Sequence, residues 1–259
     1  MINKLGGFSG LFLGLAAIFG AFFLEGGSAK TLFLTAPLLI VFGGTFAATI
    51  IGFGWDKFSR ILELSRMAYF PRNYDLKKLI LTFVDLSIVG RQEGFLALEK
   101  QLDEMEYNFP KKMIRFLLDG HDSEALENIA YTEINAMQDR HFSNISLFSK
   151  MGGYAPTMGI IGTVMGLIMT LANVGADPNE LIRNIATAFI ATLWGILSAN
   201  LIWLPIADRL KQCHIEEKYM MEITLEGVLV LQSGEIPSII KMRLISMLSQ
   251  RDQEELIKR

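Results

Sequence analysis

Two threonines, Thr163 and Thr192, occupy matching stripes of small and hydroxyl residues inside long apolar stretches: Gly159, Thr163, Gly166, Thr170 and Ala188, Thr192, Gly195, Ala199. Positions i, i+4, i+7 and i+11 fall along one face of a helix. Hydroxyl oxygens on such a face can replace part of the water shell that an ion loses on entering a narrow path. The same residues also suit plain packing, since small side chains let two backbones approach and a membrane threonine often bonds its own helix. Ion binding inside a bilayer ordinarily requires a carboxylate, because an uncompensated ion in hydrocarbon is costly. None lies within these stretches: Glu25, Asp177 and Glu180 stand at or beyond their outer ends. An acid for such a path has to come from a partner helix. Pro156 and Pro205 flank the threonines on their respective stretches, and each removes a backbone donor where a helix can then bend.

Four apolar stretches must position these groups: Leu5 to Leu24, Leu32 to Phe53, Met151 to Ala172 and Ile185 to Ala207. A hydrocarbon core of about 30 Å needs about 20 residues of helix, and each stretch meets that length. The sequence therefore predicts an all-α integral membrane protein, with four transmembrane helices and a helical cytoplasmic domain. Residues 1–53 hold the first two spans, 54–150 the cytoplasmic domain, 151–207 the last two spans and 208–259 a cytoplasmic tail. The first stretch reads as a retained span, because its basic flank is only Lys4 and no small-x-small cleavage site follows it. Lys57, Arg60, Arg66, Arg72, Arg140 and Lys150 border the long polar segment, and Arg209 and Lys211 follow the fourth span; the two short connections carry only Lys30 and Arg183. By the positive-inside rule both termini and the long segment are cytoplasmic.

Within that segment Leu76, Leu79, Ile80, Phe83, Val84 and Leu86 recur at helical spacing, as do Phe95, Leu98, Leu102 and Met105. Asp122 or Ser123 is placed to cap a helix that meets no Pro or Gly until Gly152, so the third span is expected to project into the cytoplasm. The tail breaks near Gly234 and Pro237.

Other chemistries lack their residues. Cys213 is a lone cysteine, and His121, His141 and His214 have no metal-ligand spacing. A net charge of −3 offers no basic surface for nucleic acid. Neither a nucleophile constellation nor a phosphate loop marks an enzyme, and no cofactor is called for.

The segments Gly152 to Leu167 and Ala191 to Leu197, with four spans and a large loop between the second and third, closely resemble the MotA/TolQ/ExbB proton-channel superfamily, and within it the flagellar-motor stator subunits. The resemblance implies a pentamer around a dimer of a MotB-like subunit, whose single span carries the ion-binding aspartate and whose outer domain grips peptidoglycan. On that reading Thr192 lies beside the partner's aspartate on a path for H+ or Na+, Thr163 stands nearby, and Pro156 and Pro205 couple ion passage to movement. The segment Arg91 to Glu99 looks like the family's rotor-contact motif, in which Arg91 and Glu99 would face charges on the rotor protein FliG. Along a continuous helix these two side chains would be about 12 Å apart and on different faces, leaving both for a partner. The location implied is a bacterial inner membrane. Two rivals stand beside the motor: an ExbB- or TolQ-like energiser of envelope work, whose relatives have three spans, and a membrane scaffold whose threonines only pack helices.

Overall fold

Lys4 to Leu24 contain no proline and are rich in Leu, Ala and Phe, and they form the unbroken helix α1 (Lys4–Leu24), which ends at Gly26 with φ +83°. The computed structural model describes residues 4–172 and 177–257, and among them every regular element is helical. Short helices α2 (Ala29–Leu32) and α3 (Thr35–Leu38) lead into a π-helical segment, Leu39–Gly43, and then α4 (Gly44–Ser59), so that Thr35–Ser59 makes the second apolar crossing. Next come α5 (Ile61–Tyr69) and α6 (Leu76–Glu93), whose first turn is capped by Asp75 accepting from Lys78 N at 3.0 Å. A 3-10 helix, Phe95–Glu104, precedes α7 (Asn108–Leu118), which carries Pro110 in its first turn, where its missing N–H costs nothing. The end of α7 is a Schellman turn: Gly120 at φ +85° donates to Leu117 O and His121 to Phe116 O.

The long helix α8 (Ser123–Ala172) starts where Asp122 accepts from Ala125 N at 2.8 Å, and it runs without interruption through Pro156. Helix α9 (Pro178–Ser198) opens on an Asp177 cap and a proline, passes through a second π-helical segment, Ala199–Trp203, and continues as α10 (Leu204–Gln232). Two tail helices follow the break at Gly234, α11 (Pro237–Ser246) and α12 (Gln250–Ile257). Among the described residues four continuous helical runs, Gly6–Leu24, Thr35–Ser59, Ser123–Ala172 and Pro178–Gln232, are long and apolar enough to cross a membrane. The expected connection from Asn173 to Asn184 has residues 173–176 outside the described set, and the tail's residues 258–259 lie outside it too.

One local expectation is corrected. Arg91 and Glu99 do not share a continuous helix, because α6 stops at Glu93 and Gly94 takes φ 84°, ψ 163°, a conformation reserved in practice for glycine. The chain turns there and resumes as a 3-10 helix.

The helices form two compact units. One is drawn from residues 73–140 with 214–257, and its core includes the fully buried Phe83, Leu86, Met113, Ile114, Ile223 and Val228. Phe83 lies on Gly227, where an added β-carbon would sit 2.7 Å from the ring. The other unit is drawn from residues 4–72 and 141–213, around Leu64, Phe148, Met151, Ala155 and Ile206. In it Trp203 is buried edge-on against Phe46 at 6.0 Å. Helices α8 and α10 each contribute residues to both units.

Candidate functional site

Glycine sets the closest approach in the membrane unit. A β-carbon on Gly159 would stand 2.9 Å from Ala191 O, and one on Gly195 would stand 2.7 Å from Ala155 O and 3.1 Å from Gly159 Cα. Gly162 and Gly166 are equally confined, against Ala191 and Ala188 respectively. Helices α8 and α9 therefore meet backbone to backbone along the two small-residue stripes, and Ala188, Ala191 and Ala199 are about fully buried at 1% exposure each. The second crossing packs on the same helix, since a β-carbon on Gly44 would collide with Met158 Sδ at 2.6 Å.

Thr163 and Thr192 face one another across this seam, and their hydroxyls share a hydrogen bond. Thr163 Oγ1 also lies 3.1 Å from Gly159 O on its own helix and 3.1 Å from Ala188 O on the other. A hydroxyl has one proton to give, and carbonyl oxygens can only accept. When Thr163 donates to either carbonyl, the bond between the threonines must be donated by Thr192. The oxygen of Thr192 then keeps lone pairs for whatever approaches it, which suits a cation or a protonated carboxyl group. Both side chains are half-buried. Thr170 does not join them; it bonds back to Gly166 O at 2.9 Å.

The two prolines sit on the same helix pair. Pro156 is inside α8, with its Cα 3.3 Å from where a Gly195 β-carbon would be. Pro205 follows the π-helical segment Ala199–Trp203, and a proline's missing donor and ring clash at the preceding turn are a physical reason for the widened turns there. Pro37 lies before the π-helical segment of the second crossing, so the same argument does not account for the widened turn there.

Arg91 and Glu99 lie in the other unit, both exposed, on either side of the Gly94 turn. Between them Phe95 folds back within 3.5 Å of where a Gly90 β-carbon would be, whereas Leu96 is 79% exposed. The exposed surface around the Gly94 turn thus carries an apolar side chain as well as charge.

Several positioning groups gave no spacing signal in the sequence. Trp194 Nε1 donates to Leu32 O at 2.8 Å, and its ring lies tilted at 54° against Phe33 with centroids 5.4 Å apart, fixing α9 against the start of the second crossing. Thr45 and Thr49 are fully buried and bond back to Val41 O and Thr45 O. Arg209 Nε donates to Ala68 O at 2.8 Å, and Lys57 Nζ donates to Ser143 Oγ. An indole or guanidinium that reaches a distant carbonyl leaves no periodic trace; only its position near the end of an apolar stretch hints at it.

Residues 101–223 match the model of the MotA/TolQ/ExbB proton channel family. The chain is 32% identical over 245 residues to motility protein A of Bacillus subtilis, spanning 94% of this chain and 90% of that one. It is 34% identical over 250 residues to motility protein A of Treponema pallidum, spanning 96% and 95%. The fold is similar to a chain in the flagellar MotAB stator complex from Bacillus subtilis, with a TM-score of 0.87 and 33% identity over 97% of each chain.

Proposed function

The chain belongs to the MotA/TolQ/ExbB proton channel family, and from that premise we propose that it is the stator subunit of a flagellar motor, forming an ion channel with a MotB-like partner and turning an inward proton or sodium gradient into torque. The observation that carries this reading is the Thr163–Thr192 hydroxyl pair in a membrane seam with no acid of its own. The partner's aspartate supplies the missing charge. An ion arriving from outside binds that carboxylate beside Thr192, whose oxygen accepts from the protonated acid or coordinates the cation. Neutralised, the partner helix is free to move relative to the surrounding copies. A membrane potential of 100 mV delivers about 2.3 kcal/mol per elementary charge, several times thermal energy and enough to bias such a step. Pro156 and Pro205 are the points where the helices give. Arg91 and Glu99 pass the motion to charged groups on FliG.

In this reading the chain assembles as a pentamer around a partner dimer in a bacterial inner membrane, with both termini and the 54–150 segment cytoplasmic. The basic residues Lys57, Arg60, Arg66 and Arg209 at one end of the spans support that orientation. The energiser reading is weaker, because the Bacillus subtilis and Treponema pallidum relatives matched along nearly the whole chain are named motility proteins.

The test is Thr192→Val, which keeps the shape and removes the hydroxyl, in cells that co-express the partner. Ion flux and swimming should fall at least tenfold while the complex still assembles, and Thr192→Ser should restore much of both. Wild-type swimming in the valine variant would remove Thr192 from the path.

A further inference from the structure

A cavity of about 370 Å³ opens between α1, α5, the π-helical segment Ala199–Trp203 and the start of α10. Its apolar wall includes Gly10, Leu11 and Leu201, and its polar end is formed by Tyr69, Asp208 and Arg209. Asp208 immediately follows the fourth apolar stretch, which ends at Ala207, and Gly10 and Leu11 lie deeper in the first. Leu201 is about 12 Å along the helix from Arg209, at a rise of 1.5 Å per residue. The polar end therefore falls at headgroup depth and the apolar wall at acyl depth.

Arg209 is fixed before any ligand arrives. Its Nε donates to Ala68 O at 2.8 Å, its guanidinium carbon stands 5.9 Å from the Tyr69 ring, and a β-carbon on Gly7 would come within 3.0 Å of it. A planar guanidinium held this way suits a phosphate oxygen pair, and basic pockets between membrane helices are recurrent headgroup sites. The neighbouring carboxylate narrows the choice. Asp208 would repel a purely anionic headgroup but would receive an ammonium, whose three N–H donors match a carboxylate.

We propose that this cavity binds a zwitterionic, amine-bearing phospholipid of the ethanolamine type, with its phosphate on Arg209, its ammonium on Asp208 and an acyl chain along Gly10 and Leu201. A choline headgroup presents no N–H to Asp208, and a glycerol headgroup leaves the carboxylate facing a phosphate. Pro205, the hinge in the stator reading, lines the same cavity. The binding itself rests only on the membrane placement and is measured independently of ion flux.

Native mass spectrometry of the complete stator complex, extracted in mild detergent and offered equal amounts of phosphatidylethanolamine, phosphatidylglycerol and phosphatidylcholine, tests it. Wild type should retain the ethanolamine lipid at least fivefold over either competitor. Gly10→Leu fills the cavity, and with no atom within 4 Å of the Gly10 β-carbon position the substitution has room; it should reduce retention to background. Asp208→Asn, isosteric and exposed, should bring phosphatidylglycerol level with the ethanolamine lipid, and it keeps the test decisive if Gly10→Leu impairs assembly. Equal retention of all three lipids by wild type, or no retention at all because a neighbouring copy covers the groove, overturns the proposal. So does an adduct of equal abundance with phosphoethanolamine alone, which would show a soluble phosphate site rather than a lipid site.

Discussion

At Gly195 a β-carbon would stand 2.7 Å from a backbone oxygen of α8, a contact that no side-chain rotation relieves. Gly195→Ala must push α9 away from α8, and overpacking of this kind costs about 1–3 kcal/mol. It should lower the melting temperature of the purified complex and abolish swimming, because the same displacement separates Thr163 from Thr192. Gly20→Ala is the control: nothing lies within 4 Å of its β-carbon position, so stability and swimming should stay at wild-type levels. The spacing of Gly159, Thr163, Gly166 and Thr170 made the face legible in the sequence. What covers that face was not legible, since periodicity gives direction and not the neighbour. The structure puts both readings of the stripe in one seam, with glycines making the close contact and two hydroxyls meeting within it.

Among the elements, the Gly94 turn orients the surface that holds Arg91 and Glu99. Gly94 adopts φ 84°, ψ 163°, and forcing an alanine there costs about 1–3 kcal/mol. Gly94→Ala should therefore impair torque without changing membrane insertion, as should charge reversal at Arg91 or Glu99; full torque in all three variants would dissociate this surface from the rotor. Apolar residues at Phe95, Leu98 and Leu102 repeat every three or four positions, a pattern that a 3-10 helix and an α-helix satisfy alike over ten residues. The sequence thus disclosed a helix but not its type, and the glycine before it was the unread signal.

Helix α12 is held to α6 by Lys77, whose Nζ lies 2.6 Å from Asp252 and also meets Glu255. Its hydrogen bonds hold Asp252 and Glu255 below their ordinary values of 3.8 and 4.5, and the two carboxylates raise Lys77 above 10.5. Depressed carboxylates contribute stability above their ordinary range and lose it as pH falls through their lowered values; the raised lysine contributes below 10.5 and loses it as pH climbs through its own. The clasp is thus intact from about pH 5 to 10. Hydrogen exchange of α12 amides, compared between wild type and Lys77→Gln, should differ within that window and converge in stronger acid. Because these groups face solvent, added salt should also shrink the difference.

For the whole molecule, the sequence divides the polar mass into a 54–150 domain and a 208–259 tail, whereas the fold draws residues 73–140 and 214–257 around one core. That pairing was hidden because two membrane spans separate the partners along the chain, and an apolar face on α10 such as Met221, Val228 and Leu231 does not name what it packs on. The membrane crossings were legible, because hydrocarbon demands length and apolarity and both are local in sequence.

Their lack of charge leads to the broadest prediction. A seam lined by hydroxyls and carbonyls can solvate an ion in part, but without a carboxylate it offers no group to neutralise a cation or to hold and release a proton in low dielectric. The chain purified alone and reconstituted in liposomes should therefore pass no proton or sodium current above that of empty vesicles. Co-reconstitution with the MotB-like partner should produce a current, and replacing the partner's membrane aspartate by asparagine should remove it with assembly intact. A selective current through the chain alone would show that its own seam suffices, and the division of labour between a neutral wall and a charged partner would have to be abandoned.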